Sequence, residues 1–355
     1  MKVVERYLGR SIVGATCLTL LVLIGLSTSI KFLEQLRQTG QGHYNGWRAG
    51  WYTLLTLPQD LRLFFPLAAL LGVLLGLGIL ASHSELVVMQ ALGCSRGRIM
   101  VAVSKALLPF IVLCMVLGEW VVPWSEQAAR QFRAQAIEGG TLLPVQGALW
   151  IKDGSDFVYI GQLTHPRRLQ GIHIYHFDDQ QRLTVITQAQ SATFQQEHWK
   201  LHHVTKRILV ANQPIITEQA LVSDWSLPLS PEKLGVATMD PQTLSMMKLT
   251  RYIDYLKKSG QESSRYQLEF WKQLLAPLST LVMLFLALSS MFGPLRQITV
   301  SMRMMMGIAG GFIFYVLSEL FSQLSVVYKL WPFLGAALPS LLYLALATLL
   351  LKRNH

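Results

Sequence analysis

The chain carries few residue patterns that could support catalysis or bind a metal. It contains no GxxxxGK[ST] phosphate loop and no HExxH pair, so the chemistries that need these motifs are not predicted. Five histidines are concentrated in the polar middle of the sequence, where exposed histidines on strands are more common than metal ligands. We therefore predict no catalytic residue and no metal site; these histidines are His173, His176, His198, His202 and His203.

Basic residues beside two apolar runs could bind an anion. Lys31 and Arg37 follow the first run, and Arg130 and Arg133 follow the third. Lys and Arg in such places can pair with phosphate groups. Basic side chains at helix ends can equally extend into the membrane interface without binding a ligand, so the residues alone leave both interpretations open.

The composition indicates that membrane lipid solvates much of the chain. Of 355 residues, 52% are hydrophobic and 14% are charged, against about 25% charged in an average soluble domain. The net charge of +11 could suggest nucleic acid. The basic residues lie at the ends of apolar runs, however, where membrane topology places them.

Six apolar segments are long enough to cross about 30 Å of hydrocarbon as helices. We predict a three-plus-three arrangement of spans, with the long polar region between the third and fourth. The segments are 11–33, 57–81, 99–123, 272–292, 304–326 and 332–351. Basic residues place both termini and two short connections in the cytoplasm; they are Lys2, Arg6, Arg10, Arg96, Arg98, Arg296, Arg303, Lys352 and Arg353.

The polar region then lies in the periplasm and alternates apolar and polar residues from Ala148 to Trp225. Breaks every eight to twelve residues favour short antiparallel strands. We predict an all-β, jelly-roll-like domain over residues 136–240. It separates residues 1–135, with the first three spans, from residues 241–355, with an amphipathic connector helix and the last three.

The connector helix is predicted from its capping residues. Asp240 can cap its start, with Pro241 at the first helical position, and Gly260 can mark its end. Leu244, Met247 and Tyr255 would contribute to its apolar face.

A further short helix is predicted at about residues 84–93, in the cytoplasmic connection between the second and third spans. Ser84 can cap it, Glu85 falls in its first turn and Gly93 can end it. A short amphipathic helix there could bind a groove on another protein or lie on the lipid surface. Its amphipathic pattern is formed by Leu86, Met89, Gln90 and Leu92, and the predicted contact residues are Glu85, Leu86, Met89 and Gln90.

Several strings together resemble the LptF/LptG family of lipopolysaccharide export permeases. They are "SELVVMQALG", "GEWVVPWSEQAARQFRAQA", "KLGVATMDPQTLS", "SRYQLEFW" and "ALSSMFGPLR". Their order and spacing match over essentially the whole chain, and they resemble the LptG members more closely than the LptF members.

The resemblance implies a non-catalytic permease subunit in the inner membrane of a Gram-negative bacterium. Such a subunit pairs with LptF, an LptB ATPase dimer binds from the cytoplasm, and LptC adds a helix and a periplasmic β-domain. ATP and Mg would be used by LptB, and this chain would bind no cofactor. Lipopolysaccharide would be extracted from the periplasmic leaflet and passed to the periplasmic bridge. The short helix would then be the coupling helix, where Glu85 contacts the ATPase.

The resemblance also implies where the substrate binds. It favours Lys31 as a phosphate-binding residue, with Arg37, Arg130 and Arg133 as weaker candidates. Ile308, Phe312 and Tyr315 fall on one face of the fifth span, and the resemblance places them, with Phe64, on the cavity. Without the resemblance, such a stripe would more often be helix packing. Glu119 and Glu319 lie within spans and are functional candidates without an assigned role.

Two other classes of protein could share parts of this sequence pattern. A signal-relay membrane protein would sense a ligand through the β-domain and report it through the cytoplasmic helix. A membrane-embedded lipid-modifying enzyme would need a clustered acid, base or nucleophile near the interface, and the sequence offers none.

Overall fold

A computed structural model describes residues 2–138, 149–153, 155–165, 167–178, 180–195, 198–209, 214–225, 239–258, 260–292 and 299–353. The chain divides into two compact units. The helical unit comprises Met1–Leu33, Thr56–Trp124 and Ser264–His355, and the β-unit comprises Glu34–Leu55 and Ser125–Ser263. Arg296, one of the basic residues that orient the predicted spans, lies outside the described residues.

The helices follow the predicted apolar segments closely. They are α1 (Lys2–Leu36), α2 (Gly46–Leu55), α3 (Leu57–Ser82), α4 (Glu85–Ala91), α5 (Arg96–Val116), α6 (Val122–Glu138), α7 (Met246–Lys258), α8 (Ser264–Met291), α9 (Val300–Val327) and α10 (Pro332–Arg353). A π-helical segment, Leu117–Val121, joins α5 to α6. A 3-10 turn, Pro241–Thr243, precedes α7.

Among the described residues, five helices are long and apolar enough to cross a membrane. They are Val4–Leu36, Leu57–Ser82, Arg96–Ile137, Ser264–Met291 and Val300–Val327, and they cover the first five predicted spans. The sixth predicted span falls on α10. The apolar helical stretch there, Pro332–Ala345, is shorter than the five others. A sixth crossing therefore stays a prediction.

Helix α1 packs against α3 through small residues. A Cβ added at Gly72 would lie 2.5 Å from the Thr16 Cα, and one at Gly76 would lie 3.2 Å from the Ile12 Cα. Glycines four residues apart form a flat strip on one helix face, which lets two backbones approach closely. The two glycines therefore set the distance between α1 and α3.

Helix α9 packs against α3 through a second pair of glycines. Gly307 faces Leu74, and Gly311 faces Leu70. These two leucines lie about 200° around α3 from the two α3 glycines, at 100° per residue. Helices α1 and α9 therefore contact opposite faces of α3.

The spans differ strongly in how much of their surface the chain itself covers. Of the most apolar stretch of each helix, 61% is buried for α3 and 50% for α8, but only 11% for α1 and 17% for α9. Helices α1 and α9 consequently present apolar surfaces that lipid or another chain must cover.

The β-unit contains one antiparallel sheet with strands in sequential order. An inserted all-β domain is thus confirmed. The strand order differs from the crossed connections of a jelly roll, because each described strand pairs with its sequence neighbours. The strands are β1 (Leu149–Asp153), β2 (Asp156–His165), β3 (Arg168–Phe177), β4 (Leu183–Gln195), β5 (His198–Ile208) and β6 (Ile216–Trp225). The buried face includes Val158, Ile160, Leu169, Ile172, Trp199 and Leu201.

The connector helix is present, but it begins later than predicted. The Asp240 side chain accepts a hydrogen bond from the Gln242 backbone N–H and so caps the short 3-10 turn. Helix α7 starts at Met246, so Leu244 precedes it, and Met247 is exposed. The predicted single helix from Pro241 is wrong because Leu244 has extended backbone angles.

Candidate functional site

Lys31 forms an ion pair with a buried carboxylate that the sequence reasoning missed. Its Nζ lies 2.6 Å from the Asp60 Oδ1, and the Ser27 Oγ donates to the Asp60 Oδ2 at 3.2 Å. Lys31 and Ser27 lie one turn apart on α1, and Asp60 lies in the first turn of α3. An acidic residue inside an apolar span is itself a signal of function, so Asp60 could have been found from sequence.

The other three basic candidates belong to the β-unit. The Arg133 Nη2 donates to the Gln38 Oε1 at 2.5 Å. The Arg133 guanidinium also lies 5.8 Å from the centre of the Tyr52 ring, within cation–π range. Arg130 lies 3.8 Å from Glu126 on the same helix, and Arg37 is exposed in the turn after α1. Lys31, by contrast, is part of the helical unit.

The apolar candidates on α9 form an exposed stripe. Ile308, Phe312 and Tyr315 are between 44% and 64% exposed, as are several other large apolar side chains of the spans. Phe64 is half-buried on α3. The stripe is therefore only partly covered by the chain's own described helices, and the rest of its surface is open to lipid or to a partner.

The short helix α4 turns part of its predicted contact face inward. Leu86 belongs to the hydrophobic core of the helical unit and Met89 packs against that core, whereas Gln90 is exposed. Glu85 is half-buried and hydrogen-bonds the Tyr7 side chain of α1. The exposed apolar side chains of this segment are Val87, Val88 and Leu92.

The C-terminal end of α4 matches the sequence prediction, whereas the N-terminal end does not. Gly93 has a φ of +86°, and the backbone N–H groups of Gly93 and Cys94 donate to the carbonyls of Gln90 and Met89. This is the expected glycine C-cap. Ser84 has left-handed backbone angles and its side chain makes no capping bond, so the predicted Ser84 cap is wrong.

The two acidic candidates within spans both interact with basic residues. The Glu319 carboxylate lies 3.2 Å from the Lys272 Nζ and accepts from the Gln323 amide at 2.7 Å. Glu119 lies in the π-helical segment, where its charge acts on Arg62 of α3. Ionic groups in spans normally interact with groups of opposite charge, and both of these interactions join helices that are distant in sequence.

Three histidines of the β-unit contact neighbouring aromatic or polar side chains. His173 stacks on Tyr175 at 6.4 Å between ring centres, and the His176 Nδ1 lies 2.5 Å from Asp156. The His202 Nε2 lies 2.9 Å from the Thr193 hydroxyl. In the described part of the chain, no three His, Cys, Asp or Glu side chains come together as metal ligands could.

Among the described residues of the β-unit, Asp178 and Tyr44 have shifted pKa values. The backbone N–H of Arg182 is the main cause that lowers the pKa of Asp178, and the Gln180 backbone N–H adds to it. Burial raises the pKa of Tyr44, whose hydroxyl donates to the Gln35 Oε1 at 3.0 Å. Neither group lies in a spanning helix, and the hydrogen bonds of both groups stabilise the local structure.

Five apolar helices with an inserted antiparallel sheet define a multi-pass membrane protein with a large extramembrane domain. The sequence family "Lipopolysaccharide export system permease LptF/LptG" matches residues 6–353. The chain therefore belongs to the LptF/LptG family of inner-membrane lipopolysaccharide export permeases, as its sequence motifs predict.

The most similar curated relatives cover almost the whole chain. It is 46% identical over 354 residues to the lipopolysaccharide export system permease protein LptG of Escherichia coli (strain K12), which is 99% of this chain and 98% of the relative. It is 44% identical over 353 residues to LptG of Haemophilus influenzae, again 99% and 98%. LptF of Escherichia coli (strain K12) is 30% identical over 129 residues, or 31% of this chain and 34% of that protein.

Proposed function

We propose that this chain forms one half of the membrane channel of an ABC transporter. The transporter extracts lipopolysaccharide from the periplasmic leaflet of the inner membrane and passes it towards the outer membrane. Family membership supports the substrate, and the exposed surfaces of the helical unit support the route. In this proposal the termini and α4 face the cytoplasm, and the sheet faces the periplasm.

The observation that carries the proposal is the uneven burial of the spans. Helices α1 and α9 are the least buried of the five measured and contact opposite faces of α3. The exposed surfaces of α1 and α9 form two edges of the helical unit. A partner with the same architecture, which we take to be LptF, could cover both edges and close a shared cavity. One edge carries Lys31 and the other carries Phe312.

The two edges offer complementary chemistry for a phosphorylated lipid. The Lys31 ammonium can bind phosphate groups. Arg37, Arg130 and Arg133 stay separate phosphate-binding candidates within the β-unit. The α9 stripe around Phe312 can cover acyl chains through close van der Waals contact. Phe64 would add to this apolar wall.

Energy must come from another chain, because this one has no phosphate loop. We propose that an LptB dimer hydrolyses ATP with Mg and binds α4 through Glu85, Gln90 and the exposed apolar residues of that helix. Leu86 and Met89 anchor α4 to the helical core. A movement of α4 would therefore move the helices that line the cavity. The sheet and LptC would receive the lipid beyond the membrane.

Lipid release from proteoliposomes tests the substrate site. The assembled transporter is reconstituted with labelled lipopolysaccharide, and ATP-dependent release is measured for Lys31→Met and Phe312→Ala. Lys105→Met and Val112→Ala are matched controls, because Lys105 and Val112 are exposed on another spanning helix, α5. We expect about tenfold slower release for the first two variants, which corresponds to about 1.4 kcal/mol, and near wild-type release for the controls.

A charge reversal at α4 tests the coupling. Glu85→Lys should uncouple ATP hydrolysis from release while labelled lipid still binds. If Lys31→Met and Glu85→Lys both release lipid normally, the transport proposal is wrong, and the signal-relay alternative gains support if contacts with other proteins change instead.

A further inference from the structure

The Lys31–Asp60 pair combines a buried anion with an accessible cation. The Asp60 side chain is 2% exposed and the Lys31 side chain is 32% exposed. Both Asp60 oxygens are engaged by α1, one by the Lys31 ammonium and one by the Ser27 hydroxyl. An anion that approaches from outside therefore meets the ammonium first and the carboxylate behind it.

The carboxylate is held in place by more than Lys31. Asp60 lies in the first turn of α3, where the helix dipole favours a negative charge. The Ser27 hydroxyl bond adds to this. Asp60 can thus stay ionised when the ammonium turns towards another anion, although it loses its strongest partner. A return of Lys31 to Asp60 is favourable for the same reason.

The pair changes what Lys31 can do for a phosphorylated lipid. A lone ammonium in a membrane would attract phosphate strongly, but a carboxylate at 2.6 Å makes the site neutral overall. A phosphate must compete with Asp60 for the ammonium, which has three N–H donors to share. Transport needs a site that binds the lipid in one state and releases it in the next. Competition from Asp60 favours the return of the ammonium to the carboxylate and therefore favours release of the lipid.

We propose that Asp60 is the internal counter-anion of the substrate site, and that it takes the Lys31 ammonium back from the lipid phosphate when the lipid leaves. The proposal rests on the proposed function and adds a specificity-determining residue to it. Asp60 limits affinity for phosphate and speeds release. It does not need to touch the lipid.

The test removes the carboxylate charge and keeps Lys31. Asp60→Asn and Asp60→Ser are prepared in the full transporter complex in nanodiscs, and assembly is checked by size-exclusion chromatography. The probes are lipopolysaccharide and a dephosphorylated form of the same lipid. We expect both variants to retain the phosphorylated lipid about tenfold more tightly, which corresponds to about 1.4 kcal/mol, and to release it more slowly with ATP. Retention of the dephosphorylated lipid should not change.

Two further variants separate this proposal from the proposed function. Ser29→Ala on α1 removes an exposed hydroxyl that donates to the Gly25 carbonyl and not to Asp60, so this variant should bind lipid much as the wild type does. Lys31→Met should lose phosphate-dependent retention. If an assembled Asp60 variant binds phosphorylated lipid no more tightly than the wild type, the counter-anion role is refuted. If Lys31→Met retains that lipid normally, the substrate site itself is wrong.

Discussion

The close contact between α1 and α3 gives the sharpest prediction for stability. Gly72→Ala would place a methyl group 2.5 Å from the Thr16 Cα and 2.7 Å from the Thr16 backbone N. Those are backbone atoms, so no side-chain rotation can relieve the clash. The two helices must separate, and we expect the helical unit to lose stability.

The size of the effect follows from the distance that must open. Ordinary van der Waals contact begins at 3.4 Å, so the helices must part by about 0.9 Å at Gly72, the difference between 3.4 and 2.5 Å. Overpacking of this kind costs about 1–3 kcal/mol. Alanine also favours the helix over glycine by about 1 kcal/mol, and this gain would hide part of the loss.

A matched variant removes that complication. Gly14 lies in α1, and a Cβ there would meet nothing within 4 Å. Gly14→Ala therefore gains the same helix propensity without a clash. The two variants can be unfolded in mixed micelles with increasing SDS and followed by circular dichroism. Gly72→Ala should be less stable than Gly14→Ala by about 1–3 kcal/mol.

The same variant should disturb the substrate site from a distance. Lys31 lies fifteen residues beyond Thr16 on α1, about 22 Å along the helix, and its partner Asp60 lies on α3. A displaced α1 would loosen this ion pair and slow lipid release. Equal unfolding midpoints for Gly72→Ala and Gly14→Ala would refute the packing that places α1 against α3.

Three smaller predictions concern other parts of the molecule. Glu319→Gln should lower the free energy of unfolding by up to about 1 kcal/mol, because its pair with Lys272 is partly exposed. Asp178→Ala should speed hydrogen exchange at the Gln180 amide at neutral pH. The difference should persist at about pH 4, near the ordinary pKa of an aspartate, and vanish only at lower pH, because backbone N–H donors hold the pKa of Asp178 below that value. Val88→Asp should weaken co-purification of the ATPase about tenfold, or about 1.4 kcal/mol, because it charges an exposed apolar position on α4.

Each of these has a control. Lys272→Gln should cost as much as Glu319→Gln, and the double variant should cost no more than either one; additive losses would mean that the pair does not interact. Asp224→Ala, an exposed change on β6, should leave exchange at Gln180 unaltered. Val88→Ala should keep ATPase binding, and an equal loss for Val88→Ala and Val88→Asp would argue against charge as the cause.

The sequence alone determined which segments form spanning helices, which form the sheet, and to which family the chain belongs. Long apolar runs specify spanning helices because lipid cannot satisfy backbone polar groups. Alternation from Ala148 to Trp225 specified an antiparallel sheet, because side chains on a strand alternate between its two faces. Gly93 marked the end of α4 because a left-handed position favours glycine. The family followed from the order of short motifs.

The tertiary structure decided which residues meet and which surfaces remain open. Lys31 and Asp60 are 29 positions apart in the sequence, and only the crossing of α1 and α3 brings them together. Apolarity marked Leu86 and Met89 as contact residues, but packing turned them inward and left Val87 and Val88 exposed. A residue's type sets what it can bind, whereas burial and neighbours, which depend on distant parts of the chain, set whether it is free to do so.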